Sequence, residues 1–181
     1  MRVIAGKYKG RTLVVPKQDV RPTLDRMKET LFNILNFKLQ HSVVLDLFAG
    51  SGQLGIESLS RGADRAVLCD NNRDSISVIK YNLDKLGVTD AEIFFGDYKR
   101  CIASVKIKFD VIFVDPPYRS GYYLEALQEI CLNNLLTDDG IIVCEHLAQD
   151  ELPLKIDFLE KYDSRKIGTV KFDFYRRIQC E

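Results

Sequence analysis

Val43-Val44-Leu45-Asp46-Leu47-Phe48-Ala49-Gly50-Ser51-Gly52-Gln53-Leu54-Gly55 is the stretch on which the fold turns. It begins as an apolar run broken only by Asp46, the pattern of a strand buried on both faces. Gly50, Gly52 and Gly55 then spell G-x-G-x-x-G, and an amphipathic segment runs on to about Ser60. Between a strand and a helix, such glycines let backbone N–H groups and a helix N-terminus approach a nucleotide-type ligand closely. The next apolar run, Ala66-Val67-Leu68-Cys69-Asp70, ends in an acid 20 residues after Gly50. An acid at that spacing is placed to accept the hydroxyl protons of a ribose.

Downstream the alternation of strand and helix continues. A helix is predicted over about 72–86, with Ile76, Ile79, Leu83 and Leu86 inward and Gly87 as its C-cap. A third strand, Ala91 to Phe95, leads to Gly96-Asp97-Tyr98, so Asp97 also stands at a carboxyl end. A fourth strand covers 110–114. A helix over about 122–135 presents Leu124, Leu127 and Ile130, and a turn at Asp138-Asp139-Gly140 precedes a fifth strand, Ile141 to Glu145. Phe158 to Tyr162 and Thr169 to Tyr175 read as a closing antiparallel hairpin. The fold class is therefore α/β: a Rossmann-like, mostly parallel, doubly wound sheet with antiparallel closing strands.

Upstream, residues 2–5 and 11–15 flank Gly6-Lys7-Tyr8-Lys9-Gly10 and read as a β-hairpin ended by Pro16. Thr23 is placed to cap a helix over about 24–37, with Asp25 in its first turn. Met27, Leu31, Ile34 and Leu35 form its apolar stripe; Arg26, Lys28 and Glu29 fall off it. Two parts result: a basic hairpin extension over 1–20 and an α/β body over 21–181. The chain holds 26 basic and 26 acidic side chains, but residues 1–40 carry nine Lys/Arg against three acids. A basic arm on an acidic body is the charge pattern of a surface that meets a polyanion. Lys7, Tyr8, Lys9 and Arg11 could grip phosphates and stack on bases, or form an ordinary solvated loop.

Composition excludes several classes. No apolar run reaches the roughly 18 residues of a membrane span, and Met1 to Lys7 lacks a signal-peptide core. Five scattered cysteines without a C-x-x-C pair argue against a disulfide framework or a zinc site and for the cytoplasm. His41 and His146 lack metal-ligand spacing, so no metal is expected.

Asp115-Pro116-Pro117-Tyr118 follows the fourth strand directly. Two consecutive prolines cannot continue a ladder, so the strand stops in a rigid turn. That turn presents a carboxylate, a carbonyl and an aromatic ring, a set that suits a planar base bearing an amino group. The turn alone leaves open whether a methyl donor, a hydride donor or neither faces it.

These motifs together resemble the class I methyltransferases that use S-adenosylmethionine, over roughly residues 40–176. Asp46-Leu47-Phe48-Ala49-Gly50-Ser51-Gly52 is similar to their first motif, and Asp115-Pro116-Pro117-Tyr118 to the (Asp/Asn)-Pro-Pro-aromatic motif of the amino-methylating members. A narrower resemblance is carried by Arg21-Pro22-Thr23-x-x-Arg26-x-Lys28-Glu29-x-Leu31-Phe32-Asn33 and by Ile4-Ala5-Gly6-x-x-x-Gly10-Arg11. With these the chain resembles, nearly end to end, the bacterial RsmD family of 16S rRNA guanine-N2 methyltransferases, named for guanine 966. The resemblance implies that Phe48, Gly50, Ser51, Gly52 and Gly55 cradle S-adenosylmethionine and that Asp46 orients this loop. It puts Asp70 and Asn71 at the ribose, Asp97 and Tyr98 at the adenine, and Arg21 or Thr23 at the methionine end. It makes Asp115 and the Pro116 carbonyl acceptors for the target amino group and Tyr118 the stacking ring. It implies 16S rRNA or the small ribosomal subunit as partner, and nothing demands more than a monomer. Asp97-Tyr98-Lys99-Arg100 and the Gln179-Cys180-Glu181 tail depart from the family pattern.

Three rival readings share parts of this pattern. A DNA or RNA adenine-N6 methyltransferase shares the Asp-Pro-Pro-Tyr logic, although the DNA enzymes carry a target-recognition domain for which no segment here is long enough. An NAD-dependent oxidoreductase shares the glycine pattern but leaves the proline turn unexplained. A noncatalytic RNA-binding module would be expected to have a degraded acid or glycine, and none is degraded.

Overall fold

The structure is a computed structural model that describes residues 1–16, 24–118 and 120–178, the side chains of residues 24 and 25 excepted. Arg21, Thr23, the Asp25 side chain and the Gln179-Cys180-Glu181 tail lie outside the described residues.

The run that opens the glycine stretch forms β1 (Val43–Asp46), which sits inside one sheet rather than at its edge. Three helices and two strands surround it in sequence: α1 (Leu24–Leu39), α2 (Gln53–Ser60), β2 (Arg65–Asp70), α3 (Arg73–Leu86) and β3 (Ala91–Phe95). Then come α4 (Tyr98–Ser104), β4 (Phe109–Val114), α5 (Tyr122–Leu132), β5 (Leu136–Leu147), β6 (Lys155–Ile156), β7 (Leu159–Ile167) and β8 (Val170–Arg177). The strand order is β3-β2-β1-β4-β5-β8-β7-β6. The first five strands pair in parallel; β8, β7 and β6 close the sheet antiparallel. The chain winds outward from β1 to β3, returns to β4, and winds the other way. The switch point therefore lies between β1 and β4, where open α/β sheets bind ligands beyond the carboxyl ends of their strands.

Each sheet face is covered by its own apolar layer. On one face Leu31, Phe32 and Leu35 of α1, Ile56 of α2 and Ile79 and Leu83 of α3 pack against Val44, Val111, Phe113 and Val143. On the other, Tyr98, Cys101 and Ile102 of α4 and Ala126, Leu127 and Ile130 of α5 pack against Leu45, Ile112, Val114 and Cys144. Alternate residues of β4 thus feed opposite layers, as period-two geometry requires. Cys69, Cys101, Cys131 and Cys144 are buried free thiols. Among the described residues no helix is long and apolar enough to cross a membrane.

The expected hairpin is reduced to a single bridge, Arg2 to Thr12, supported by bonds from Val3 N–H to the Arg11 carbonyl and from Leu13 N–H to the Met1 carbonyl. Val3 and Leu13 are buried in the same layer as α1 and α2. Three expectations need correction, and one helix is added. Lys28 is not on a solvated face: it is buried, its Nζ donating to the Arg2 carbonyl at 2.7 Å and lying 3.9 Å from Glu57 Oε2. Leu124 is exposed, because the buried stripe of α5 runs through Tyr123, Ala126, Leu127 and Ile130. The residues after Asp97 form α4, with the Asp97 side chain accepting from Lys99 N–H at 2.8 Å as N-cap. The fifth strand starts earlier than Ile141; Asp138-Asp139-Gly140 is looped out inside it, between the Phe109–Leu136 and Val111–Ile141 pairs.

Candidate active site

A cleft of about 950 Å³ opens at the switch point. Its wall includes Phe48, Gly50 and Ser51 after β1, Asp70 and Asn71 after β2, Asp97 and Tyr98 after β3, and Asp115 and Pro117 after β4. Nearly every motif singled out in the sequence reaches this one opening. Val14, Val15 and Pro16 of the N-terminal arm form part of its rim.

The glycine loop is held by the acid two strands away from the proline turn. Asp70 Oδ2 accepts Gly50 N–H at 2.8 Å and Oδ1 accepts Asn72 N–H at 2.8 Å. Those two backbone bonds fix the carboxylate at the wall of the cleft, beside the glycine loop. Gly52 is the N-cap of α2 in a left-handed conformation. Gly55 has a different role: a Cβ there would lie 2.1 Å from Leu68 Cδ2, so a larger residue would have to displace the Leu68 side chain between α2 and β2. Asp46 lies beneath the loop, 1 % exposed, with neither carboxylate oxygen in full hydrogen-bond geometry to a described residue. Burial pushes its carboxyl up to about 7; the Gly55 amide pulls it down, the Asp70 charge pushes it up, and the Phe48 amide pulls it down.

The far wall is aromatic. Phe48 packs tilted on Tyr98 with ring centroids 5.1 Å apart and parallel to Tyr122 at 6.4 Å; Tyr98 and Tyr122 meet at 5.6 Å. Tyr98 is buried and donates its hydroxyl to Glu125 Oε2 at 2.6 Å, and burial together with that bond raises its pKa. Flat rings beside Asp97 suit a heteroaromatic base with an exocyclic amino group.

The proline turn forms the other side. Pro116 is buried, Asp115 and Tyr118 are half-buried, and the Tyr118 ring packs against the layer beneath α1. Its hydroxyl donates to Glu145 Oε1 at 3.5 Å. Tyr123 donates its hydroxyl to the Glu145 carbonyl at 2.8 Å. Tyr122 also lines the cleft, while Glu145, Tyr123 and Asn82 brace residues around it, and the sequence alone singles out none of the four. Asn82, on α3 and fully buried, donates to the Ser51 carbonyl at 3.0 Å.

Of the four expected RNA-facing residues, Lys7, Lys9 and Arg11 are exposed, while the Tyr8 ring is half-buried under Lys7 Nζ, 5.2 Å from its centroid. A second hollow of about 610 Å³ between arm and α1 is lined by Arg2, Lys9, Arg26 and Glu29. The arm is pinned from below by Glu57, which is fully buried. Its carboxylate accepts Ile4 N–H at 2.8 Å, Ala5 N–H at 3.1 Å and Arg61 Nε at 2.8 Å. Among the described residues no group of three or more His, Cys, Asp and Glu is arranged to hold a metal.

A doubly wound sheet with a glycine-loop cleft at its switch point and antiparallel closing strands is a Rossmann-like methyltransferase fold. The chain belongs to the family described as conserved hypothetical protein 95, the RsmD family, whose pattern matches residues 1–176. It is 34% identical over 178 residues to the ribosomal RNA small subunit methyltransferase D of Escherichia coli, covering 98% of this chain and 90% of that one. The solved structure of the Escherichia coli protein yhhF superposes with a TM-score of 0.89 at 34% identity, covering 98% of this chain and 97% of that one. The fold extends to SMU.776, a structure solved in complex with SAH, at 14% identity and a TM-score of 0.67, covering 82% of this chain and 48% of that one.

Proposed function

We propose that the protein methylates the exocyclic N2 amino group of a guanine in bacterial small-subunit 16S rRNA, of the guanine-966 type, using S-adenosylmethionine. One observation carries the reading: the glycine loop with Asp70 and the Asp115-Pro116-Pro117-Tyr118 turn open into the same cleft from adjacent strands, β1 and β4. The residues present fit the cofactor: carboxylates at Asp70 and Asp97 match hydroxyl and amino donors, and the aromatic wall matches adenine. When bound, S-adenosylmethionine supplies an electrophilic methyl group.

This chain's own residues prepare the acceptor. The lone pair of a guanine amino group is delocalised into the ring, so the group is a poor nucleophile. Hydrogen bonds from its two protons to the Asp115 carboxylate and the Pro116 carbonyl favour a pyramidal nitrogen with its lone pair turned toward the cleft. Tyr118 stacks on the extruded base and fixes its plane. Asp115 or water takes the proton that leaves once nitrogen has become cationic. Such a site works by positioning and electrostatics, without a covalent nucleophile. Unpaired or flipped guanine is the fitting target, since an A-form stem hides its base edges. Lys7, Lys9 and Arg11, with Tyr8, hold the RNA backbone, so affinity falls as salt rises. All of these groups lie on one chain, and a monomer in the cytoplasm suffices.

The test is transfer of a tritiated methyl group to small-subunit particles and to naked rRNA, followed by nucleoside analysis. N2-methylguanosine is the expected product. Label recovered as N6-methyladenosine, or in DNA alone, defeats the guanine assignment.

A further inference from the structure

We infer that Gln53 is a further cofactor-binding residue that holds the amino-acid end of S-adenosylmethionine, its side-chain oxygen accepting from the α-ammonium group. The inference rests on the cofactor placement proposed above and not on the choice of base. The resemblance puts only Arg21 or Thr23 at that end, and both lie outside the described residues.

Gln53 is the first residue of α2, directly after Gly52, and it lines the cleft. Of the β1–α2 residues on that wall, Ser51 and Gln53 alone carry polar side chains. Two side-chain amides adjoin the glycine loop. Asn82 is satisfied by the protein: its oxygen accepts Val14 N–H, and its nitrogen donates to the Val14 and Ser51 carbonyls. Gln53 is not: its Oε1 is buried and has no hydrogen-bond partner among the described residues. An orphaned buried acceptor is costly in free energy. The terminal torsion of a glutamine is soft, so the amide can turn toward the opening, and turning it breaks no bond to that oxygen. A ligand that brings a donor to the first turn of α2 removes the cost.

Strand order identifies the donor. The strands run β3, β2, β1, β4 along the cleft. With adenine at Asp97 after β3 and ribose at Asp70 after β2, the sulfur comes next, over the loop after β1, and its methyl faces Asp115 after β4. The cofactor carries three kinds of N–H or O–H donor: the adenine amino group, the ribose hydroxyls and the α-ammonium. The first two are engaged at β3 and β2, so the donor that reaches the start of α2 is the ammonium. The carboxylate beside it has a partner of its own. Gly52 caps α2 without a side-chain bond and the first turn holds no acid, which leaves the positive end of the helix favourable to an anion. A neutral amide oxygen suits the ammonium at this position, because a carboxylate side chain would compete with the cofactor's own carboxylate for that helix end.

The test sets one substitution against three ligands, read by calorimetry. S-adenosylhomocysteine carries both charged groups, its decarboxylated analogue keeps the ammonium, and 5′-methylthioadenosine has neither. Gln53→Leu keeps the approximate volume and removes the acceptor. It is expected to weaken S-adenosylhomocysteine and the decarboxylated analogue alike, by at least about tenfold, and to leave 5′-methylthioadenosine within about twofold of wild type. An equal loss for all three ligands, or a loss for none, overturns the inference and leaves Gln53 a structural residue of the loop. A loss confined to S-adenosylhomocysteine assigns the amide to the carboxylate and overturns the ammonium contact. Should Gln53→Leu fail to fold, Gln53→Ala is read against the same ligands by the same criteria. If the wild-type chain binds neither S-adenosylhomocysteine nor 5′-methylthioadenosine, the cofactor placement itself has failed, before any variant is compared.

Discussion

The Asn82 side chain grips the backbone of Val14 at both ends: Val14 N–H donates to Oδ1 at 2.9 Å, and Nδ2 donates to the Val14 carbonyl at 2.9 Å. The same Nδ2 reaches the Ser51 carbonyl at 3.0 Å. One buried amide thus ties the N-terminal arm, which rims the cleft, to the loop that lines it. Asn82→Asp keeps the shape and removes both donors, leaving two buried carbonyls facing a carboxylate. Stability in urea unfolding should fall by about 2–3 kcal/mol. Affinity for S-adenosylhomocysteine by calorimetry should fall about fivefold to tenfold as the loop loosens. Lost stability with unchanged affinity would confine Asn82 to holding the arm.

Asp115 lies across the cleft from Asp70 and is assigned to the acceptor. Asp115→Ala should therefore reduce methyl transfer by at least about a thousandfold while S-adenosylhomocysteine still binds within about threefold of wild type. Single-turnover transfer and calorimetry read the two effects separately. Full activity in the variant would sink the mechanism; a parallel loss of cofactor binding would move Asp115 to the donor side.

The central part of this site was legible because its signals are local. Val43 to Gly55 carries strand, glycine turn and helix in one run, and Asp70 stands at the spacing a ribose acid needs. What was not legible depends on register or on tertiary burial. Glu145 reads as the last residue of a strand until the pairing of Val114 with Cys144 sets it beside the proline turn. Lys28 falls off the apolar stripe of its helix and Glu57 carries no signal of its own, because nothing near them in sequence announces that the arm's backbone will cover them. Asn82 sits on an ordinary amphipathic helix, and its two partners are 68 and 31 residues away. The short helix α4 offers only Tyr98, Cys101 and Ile102 as a buried stripe, but Asp97 as an N-cap was a readable start signal.

The arm's docking offers a controlled comparison between two glycines with the same backbone angle. Gly6 and Gly10 both have φ +80, but a Cβ on Gly6 would lie 1.7 Å from the Ser60 carbonyl oxygen and one on Gly10 would meet nothing within 4 Å. Ser60 is also where the arm lands: its carbonyl accepts Lys7 N–H at 2.7 Å and its hydroxyl oxygen accepts Tyr8 N–H at 3.0 Å. Gly10→Ala should cost about 1 kcal/mol, the strain of a left-handed alanine. Gly6→Ala should cost about 3 kcal/mol and expose the arm to protease, since the clash is with backbone. Equal stabilities and equal protease resistance in the two variants would contradict the docking of the arm on Ser60.

The raised pKa of Asp46 makes the stability of the ligand-free protein depend on pH in an unusual direction for a carboxylate. In the unfolded chain Asp46 loses its proton near pH 4, whereas burial holds the folded group protonated until about 7. Between those values the folded state binds the extra proton, so stability falls as pH rises. The contribution is fully present below pH 4 and gone above about pH 7, a span of up to about 4 kcal/mol. Asp46→Asn cannot ionise and should lack this slope. The difference in unfolding free energy, variant minus wild type, should therefore rise steadily from pH 4 to pH 7 and then level off. A flat difference across that range would mean that Asp46 is already charged in the folded protein, with the Gly55 and Phe48 amides outweighing its burial. A bound cofactor with a positively charged ammonium or sulfonium would favour the carboxylate, so saturating S-adenosylmethionine should flatten the wild-type slope as well.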